Sequence, residues 1–267
     1  MLTLAQVAAV LLLALAWTGP AFAQDLTDVE TIIDRANRAA YYAGEDGRAQ
    51  ARLTIVDAQG RERVRQFTIL RRDRADGGDQ DYVVLFSRPA DVRGTVFLVK
   101  KQVGRDDDRW LYLPSLDLVK RIAAGDKRTS FVGSDFLYED ISGRAIEDDR
   151  HELIEATDTH YVVRNTPVDP GSAEFAAWTV WIDKTTFLPM TMEYVDADGE
   201  VYRRIETLAV ETVEGHPTAT TMKVSDLRTG GHTISEIRRI DYDLDIPEAV
   251  FTERTLRNPD RQWFRTR

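Results

Sequence analysis

The chain has 267 residues, with 45 acidic and 35 basic side chains, a formal net charge of −10 and no cysteine. Disulfides and a cysteine-based structural zinc site are therefore excluded, and the four histidines show no metal-ligand spacing. The acidic balance argues against a nucleic-acid-binding protein and against passive adhesion to an anionic membrane surface.

Residues 1–23 have the layout of a secretory signal peptide. They carry no charged side chain, contain an apolar block at residues 7–17 and end in Ala21-Phe22-Ala23, with small residues at the −3 and −1 cleavage positions. The block is too short to span a bilayer. We therefore expect cleavage after Ala23 and release of the mature chain into the periplasm, with an uncleaved anchor as the alternative.

The mature chain reads as one helix followed by strands. Thr27-x-x-Glu30 has capping-box spacing, so a helix is predicted to begin at Thr27. Alternating segments joined by short turns, such as residues 57–60 and 196–199, follow it. We predict about a dozen strands in one antiparallel meander. Short helices are expected near residues 134–141 and from Pro247, and residues 24–267 are expected to form a single domain.

The middle strands are apolar on both faces. An antiparallel sheet with one face in water alternates apolar and polar residues, but residues 96–99, 110–113 and 178–182 do not. The second face therefore needs a cover, and either a packed helix or an apolar ligand would supply it.

Motifs for catalysis or ion binding are incomplete. Asp196-x-Asp198-Gly199 begins like a calcium loop but lacks the third oxygen ligand and the distant glutamate. Residues 125–129 lack the glycine spacing of a phosphate loop, and Ser134 is not in a G-x-S-x-G motif. A Ser/His/Asp triad depends on spatial proximity that a sequence does not show. We expect no enzyme activity, no metal and no cofactor.

Residues 110–143 form the strongest candidate for a binding site. They combine aromatic and aliphatic side chains with four basic residues, Lys120, Arg121, Lys127 and Arg128. Apolar and cationic residues side by side suit a ligand with acyl chains and an anionic head group. An ordinary hairpin with a solvated basic edge is the alternative.

Three series of residues around this segment carry a family resemblance. They are Phe86-Ser87-Arg88-Pro89 with Arg93-Gly94-Thr95, then Trp110-Leu111-Tyr112-Leu113-Pro114, then Phe131-Val132-Gly133-Ser134-Asp135-Phe136 with Tyr138-Glu139-Asp140. Their order resembles the outer-membrane lipoprotein-sorting protein family, periplasmic relatives of the LolA and LolB carriers. The resemblance implies an unclosed, strongly curved antiparallel β-barrel whose concave side is covered by helices and shelters the acyl chains of lipoproteins or lipids. It also implies membrane donor and acceptor proteins, with a transporter of the resistance-nodulation-division (RND) type as a further partner.

This fold leads to a prediction of the lipid-binding residues. The sheet side is predicted to comprise Phe97, Val99, Trp110, Tyr112, Trp178, Val180 and Ile182. The cover is predicted to comprise Phe136, Leu137, Tyr138 and Ile141, with Phe131 beside them. The four basic residues named above are expected to contact a head group or a partner. The predicted function is a non-enzymatic periplasmic carrier; an envelope-stress sensor with the same fold is the alternative, and a lipid hydrolase comes third.

Overall fold

The computed structural model describes residues 25–265, so the predicted signal peptide lies outside the described residues. The helices are α1 Val29–Tyr41, α2 Tyr138–Ser142 and α3 Glu253–Arg257. The strands are β1 Asp46–Val56, β2 Glu62–Asp73, β3 Gln80–Arg88, β4 Val96–Lys101, β5 Asp108–Leu113, β6 Leu118–Ile122, β7 Asp149–Ala156, β8 His160–Pro167, β9 Ala177–Asp183, β10 Pro189–Val195, β11 Val201–Val213, β12 His216–Asp226 and β13 His232–Tyr242. Among residues 25–265, no helix is long and apolar enough to cross a membrane.

All thirteen strands belong to one curved antiparallel sheet that does not close, which confirms the predicted fold class. The prediction of one continuous meander is wrong. Strands β1–β6 and β7–β13 form two meanders, which are joined where β1 pairs with β13. Strands β6 and β7 therefore lie at opposite edges of the sheet. Residues 123–148, which we call the crossing segment, connect these edges and contain α2.

Helix α1 begins one residue later than its sequence motif predicts. Asp28 is the N-cap, and its carboxylate accepts a hydrogen bond from the Thr31 backbone N–H at 3.2 Å, so the predicted capping box at Thr27 is wrong. An aspartate is as good a cap as a threonine. The buried face of the helix carries Ile32, Ile33 and Ala36, which pack against strands β8 and β9.

The concave face of the first meander carries the main core. Alternation along β1 buries Leu53 and Ile55 and leaves Arg52 exposed. Phe97 and Val99 of β4 are fully buried on the same face, against the crossing segment. This packing supplies one of the two covers that the middle strands need.

The convex face of the same strands has its own cover, which is the C-terminal segment after β13. Val96 and Leu98 alternate with Phe97 and Val99 and pack against Phe251 and other apolar residues of this segment. The Asp46 carboxylate accepts hydrogen bonds from the backbone N–H groups of Leu244 and Ile246, and these bonds direct the chain back across the sheet. Strands β4 and β5 are therefore covered on both faces by other segments of the chain itself.

Candidate functional site

An apolar cavity of about 380 Å³ lies between the concave face of the sheet, α1 and the crossing segment. Its volume is in the range of pockets that hold small apolar ligands, roughly 300–1,000 Å³. The apolar lining comes from α1, from strands of both meanders and from the crossing segment. It includes Ile33, Ala36, Ala40, Ala49, Leu53, Phe67, Ile69, Phe131, Phe136, Ile141, Trp178, Val180, Ile182, Met192, Ile205 and Met222.

Helix α1 is fixed over the sheet by Arg71 of β2. The Arg71 guanidinium donates hydrogen bonds to the backbone carbonyl oxygens of Tyr41 at 2.6 Å, Gly44 at 2.7 Å and Ala43. These carbonyl groups lie at and just beyond the end of α1, where a cation also interacts favourably with the helix dipole. The contact therefore holds one wall of the cavity in place.

Aromatic packing fixes the crossing segment to the first meander. Phe131 is fully buried, and its ring centroid lies 5.6 Å from that of Phe86, 5.4 Å from that of Phe97 and 5.7 Å from that of Tyr138. Edge-on and tilted pairs of this kind contribute about 0.5–1.5 kcal/mol each beyond the area that they bury. Phe131 is thus part of the core and of the cavity wall at once.

Buried ion pairs fix the end of the crossing segment that leads to the second meander. The Glu139 carboxylate on α2 contacts Arg128 and also Lys127 and Arg144, at 3.4 and 3.5 Å. Burial raises the pKa of this carboxyl group, but the three cations outweigh burial and leave the pKa below its ordinary value. Arg144 also pairs with Asp149 at the start of β7, at 2.8 Å. These ion pairs form a charged cluster at the rim of the apolar cavity and hold α2 against the start of β7.

A second contact joins α2 directly to the sheet. The Arg203 guanidinium of β11 pairs with Asp140 and donates a hydrogen bond to the Asp135 carbonyl oxygen at 3.3 Å. The Asp140 carboxylate also accepts a hydrogen bond from the Leu137 backbone N–H at 2.7 Å, which caps α2. Thr233 of β13 donates to the Asp135 carboxylate at 2.6 Å. Two strands of the second meander therefore hold the segment that covers the cavity, in addition to the aromatic contacts with the first meander.

A polar pocket of about 400 Å³ adjoins one end of the cavity, and residues 143–146 line both. Lys101, at the end of β4, lines this pocket and donates a hydrogen bond to the Ser142 carbonyl oxygen at 2.8 Å. Burial lowers the pKa of Lys101 to about 8, although Asp107, Glu147 and Asp73 oppose the shift.

Six of the twelve residues predicted to bind lipid line the cavity. They are Phe131, Phe136, Ile141, Trp178, Val180 and Ile182. Phe97, Val99 and Tyr138 lie in the concave core behind that lining. Leu137 is half-buried at the N-terminus of α2 and does not line the cavity.

Trp110 and Tyr112 lie on the convex face, contrary to the sequence-based assignment to the cavity. They pack against the C-terminal segment with Leu98 and Phe251. Because β5 is apolar on both faces, its sequence does not distinguish the inward residues from the outward ones.

The four predicted basic residues do not form one group. Lys120 and Arg121 are exposed on the edge strand β6, where Arg121 pairs with Asp108. Lys127 and Arg128 belong to the ion network around Glu139, and Arg128 also pairs with Glu174 at 2.7 Å. None of the four lines the apolar cavity.

Sequence reasoning missed the contribution of α1 and of the strands at the seam between the meanders. Ala36, Ala49 and Met222 line the cavity, yet small and flexible apolar residues like these do not stand out in the sequence. The signals that could have identified them are the alternation of apolar and polar residues on β1 and β12 and the apolar face of α1.

The described residues contain no cluster of three or more His, Asp or Glu side chains arranged to hold a metal ion. His151 is the histidine of the cavity lining, and its ring nitrogens contact the Asn165 side-chain oxygen at 2.7 Å and the Ile146 carbonyl oxygen at 3.1 Å. Neither nitrogen is available to a serine nucleophile in this arrangement.

Comparisons with known proteins support this picture of the fold. A family model described only as that of an uncharacterized protein matches residues 78–258, about two thirds of the chain. No curated protein matches the chain.

Solved structures give closer likenesses. A DUF1329 family protein from Desulfovibrio piger ATCC 29098 is 28% identical with a TM-score of 0.77, and the match covers 85% of this chain and 98% of that one. An outer membrane lipoprotein-sorting protein domain from Vibrio parahaemolyticus is 26% identical with a TM-score of 0.76, over 86% of this chain and 97% of that one. A LolA superfamily protein from Nitrosomonas europaea is 18% identical with a TM-score of 0.66, over 85% and 98% of the two chains, and shows a likeness of fold.

Proposed function

The chain belongs to the outer-membrane lipoprotein-sorting protein family (DUF1329) with the LolA-like fold, and we propose that it is a periplasmic carrier of acyl chains. The observation that carries the proposal is the apolar cavity between the sheet, α1 and the crossing segment. Its cargo would be the acyl part of a lipoprotein or of a free lipid.

The energetics of transfer support an enclosed cavity. Each buried methylene contributes roughly 0.8 kcal/mol, so a chain of about sixteen carbons gains on the order of 12 kcal/mol before the costs of binding. A lipid crossing an aqueous compartment therefore needs a dry site, and the lining of aliphatic, methionine and aromatic side chains supplies one.

The same geometry favours a carrier over a hydrolase. His151 of the cavity lining is engaged by Asn165 and Ile146, so it is not positioned to activate a serine. A carrier also needs a membrane donor and a membrane acceptor, and an RND-type transporter is the partner that the family resemblance suggests for one of these steps.

Mass spectrometry of the organic extract from protein purified out of its host's periplasm tests the proposal. We expect a stoichiometric lipid or acylated peptide. Replacing Ile141 with Asn puts an amide into the cavity wall, where an unpaired polar group costs free energy. We expect Ile141→Asn to lose most of this ligand.

Leu137→Asn is the matched control, because Leu137 is the N-cap of the same short helix but lies outside the lining. Asparagine is also a favourable residue at this N-cap position. Equal ligand content in the two folded variants would contradict the proposed cavity. Hydrolysis of the extracted lipid by the purified protein would instead favour the enzyme.

A further inference from the structure

The hairpin between β5 and β6 carries two exposed leucine side chains at a free edge of the sheet. Leu116 is 68% exposed and Leu118 is 46% exposed, and β6 is the terminal strand of the sheet. Asp117 between them has a left-handed backbone, with φ of 45°. Arg257 of α3 contacts the Asp117 carboxylate at 3.2 Å and its carbonyl oxygen at 3.0 Å. The tip is therefore a fixed projection, held from the C-terminal segment.

Two basic side chains without a carboxylate partner in the described chain lie beside this tip. Lys120, two residues beyond Leu118, is exposed and forms no ion pair with any residue among 25–265. The loop at residues 89–95 lies against the hairpin, because a Cβ on Gly94 would be 3.6 Å from Pro114 Cγ. Arg93 in that loop is likewise exposed. It donates a hydrogen bond to the Ser87 carbonyl oxygen at 3.4 Å and has no carboxylate partner among residues 25–265.

Two acidic groups of these loops are already paired with arginines. Asp117 pairs with Arg257, and Asp91 pairs with Arg65 at 3.4 Å. The tip therefore combines exposed aliphatic side chains with local positive charge, in a protein whose net charge is −10.

We propose that this hairpin tip docks the protein onto an anionic phospholipid surface. Leu116 and Leu118 would enter the boundary between head groups and acyl chains, and Arg93 and Lys120 would lie at the phosphates. Long cationic side chains next to apolar ones suit such an interface, since their stems stay in apolar surroundings while their charges reach the phosphates. A convex tip, unlike a groove, also fits a surface that deforms around it.

The net charge of −10 argues against adhesion of the molecule as a whole, but it does not prevent docking through one local patch. Charges in solution are screened over about 8 Å at physiological ionic strength, so a surface patch interacts through its own charge once it is close to the membrane. The proposal goes beyond the carrier function, because it does not depend on what the cavity holds. The proposal also assigns a role to the residues just before Gly94 and around Pro114. These residues carry part of the family resemblance but do not line the cavity.

Co-sedimentation with vesicles tests the proposal. The purified protein is mixed with vesicles that contain phosphatidylglycerol and, separately, with vesicles of phosphatidylcholine alone. We expect stronger binding to the anionic vesicles. The double variant Leu116→Ser/Leu118→Ser should bind them about tenfold more weakly, because two apolar side chains no longer leave water. Arg93→Gln/Lys120→Gln should lose the preference for anionic lipid.

The matched control is Leu208→Ser, which removes a leucine that is 54% exposed on β11, away from the hairpin. It should bind vesicles like the unaltered protein, and circular dichroism verifies that each variant is folded. Absence of binding by the unaltered protein, or equal binding by the hairpin variant and Leu208→Ser, would overturn the proposal. Hairpin-dependent capture of an acidic membrane protein without any vesicle binding would assign the tip to a protein partner instead. Ligand content, measured separately by mass spectrometry, reports on the cavity.

Discussion

Burial without a close counter-charge lowers the pKa of Lys101. Its ammonium group lies 5.2 and 5.5 Å from the ring centroids of Tyr41 and Tyr42 and donates to the Ser142 carbonyl oxygen. Within the part of the chain that the structure describes, no carboxylate lies within ion-pair distance of it. Interactions with aromatic rings and one carbonyl group replace only part of the lost hydration, which is why the pKa falls to about 8.

This lowered pKa predicts a pH dependence of stability. Between pH 8 and the ordinary value of 10.5, the unfolded chain holds a proton on Lys101 that the folded chain has released. Unfolding therefore takes up a proton, and the free energy of unfolding rises with pH through this window. Relative to Lys101→Met, we expect the unaltered protein to gain about 1–2 kcal/mol from pH 8 to 9.5. Urea denaturation of both proteins at each pH measures the difference, and parallel pH profiles would contradict it.

At the scale of elements, local sequence patterns predicted the strands. They did not predict which distant segments contact each other. The turns predicted at residues 57–60 and 196–199 connect β1 to β2 and β10 to β11, because turn residues and alternation are local properties of the sequence. The pairing of β1 with β13 depends on segments nearly two hundred residues apart. The inward side of β5 likewise depends on the C-terminal segment, which covers Trp110 from outside.

The buried ion pair between Arg203 and Asp140 is one of the contacts that hold the crossing segment on the sheet. Replacing Arg203 with Met leaves the Asp140 carboxylate without its cation, which typically costs about 3–5 kcal/mol. We expect faster hydrogen exchange in residues 131–142 and a lower free energy of unfolding. Hydrogen-exchange mass spectrometry and urea denaturation measure the two effects.

Two further variants identify the cause. Arg204→Met removes the next arginine of β11, which pairs with Glu193 on a more exposed surface, and should cost under about 1 kcal/mol. Asp140→Asn retains an oxygen for the Leu137 N–H, so the double variant Arg203→Met/Asp140→Asn should be less destabilised than the sum of its parts. Additive effects would show that the pair does not hold the segment.

At the scale of the whole molecule, the two faces of the first meander have different roles. The C-terminal segment covers the convex face through apolar packing. The Thr68 hydroxyl also donates a hydrogen bond to the Phe264 carbonyl oxygen at 3.2 Å. The concave face is shared between the core and the cavity. Stability therefore requires both covers, whereas the proposed ligand binding would require only the inner one.

Two fully buried phenylalanines, one on each face, separate these roles. Phe251→Ala on the convex side and Phe131→Ala on the concave side should each lower the free energy of unfolding by about 3–5 kcal/mol, because each leaves a hole in a packed core. Phe131 lines the cavity and Phe251 does not, so only Phe131→Ala should change the ligand content per folded molecule. Urea denaturation measures the first effect and mass spectrometry of gently purified protein the second. An equal change of ligand content in both variants would mean that the convex cover also shapes the cavity, and that the sheet transmits its packing from one face to the other.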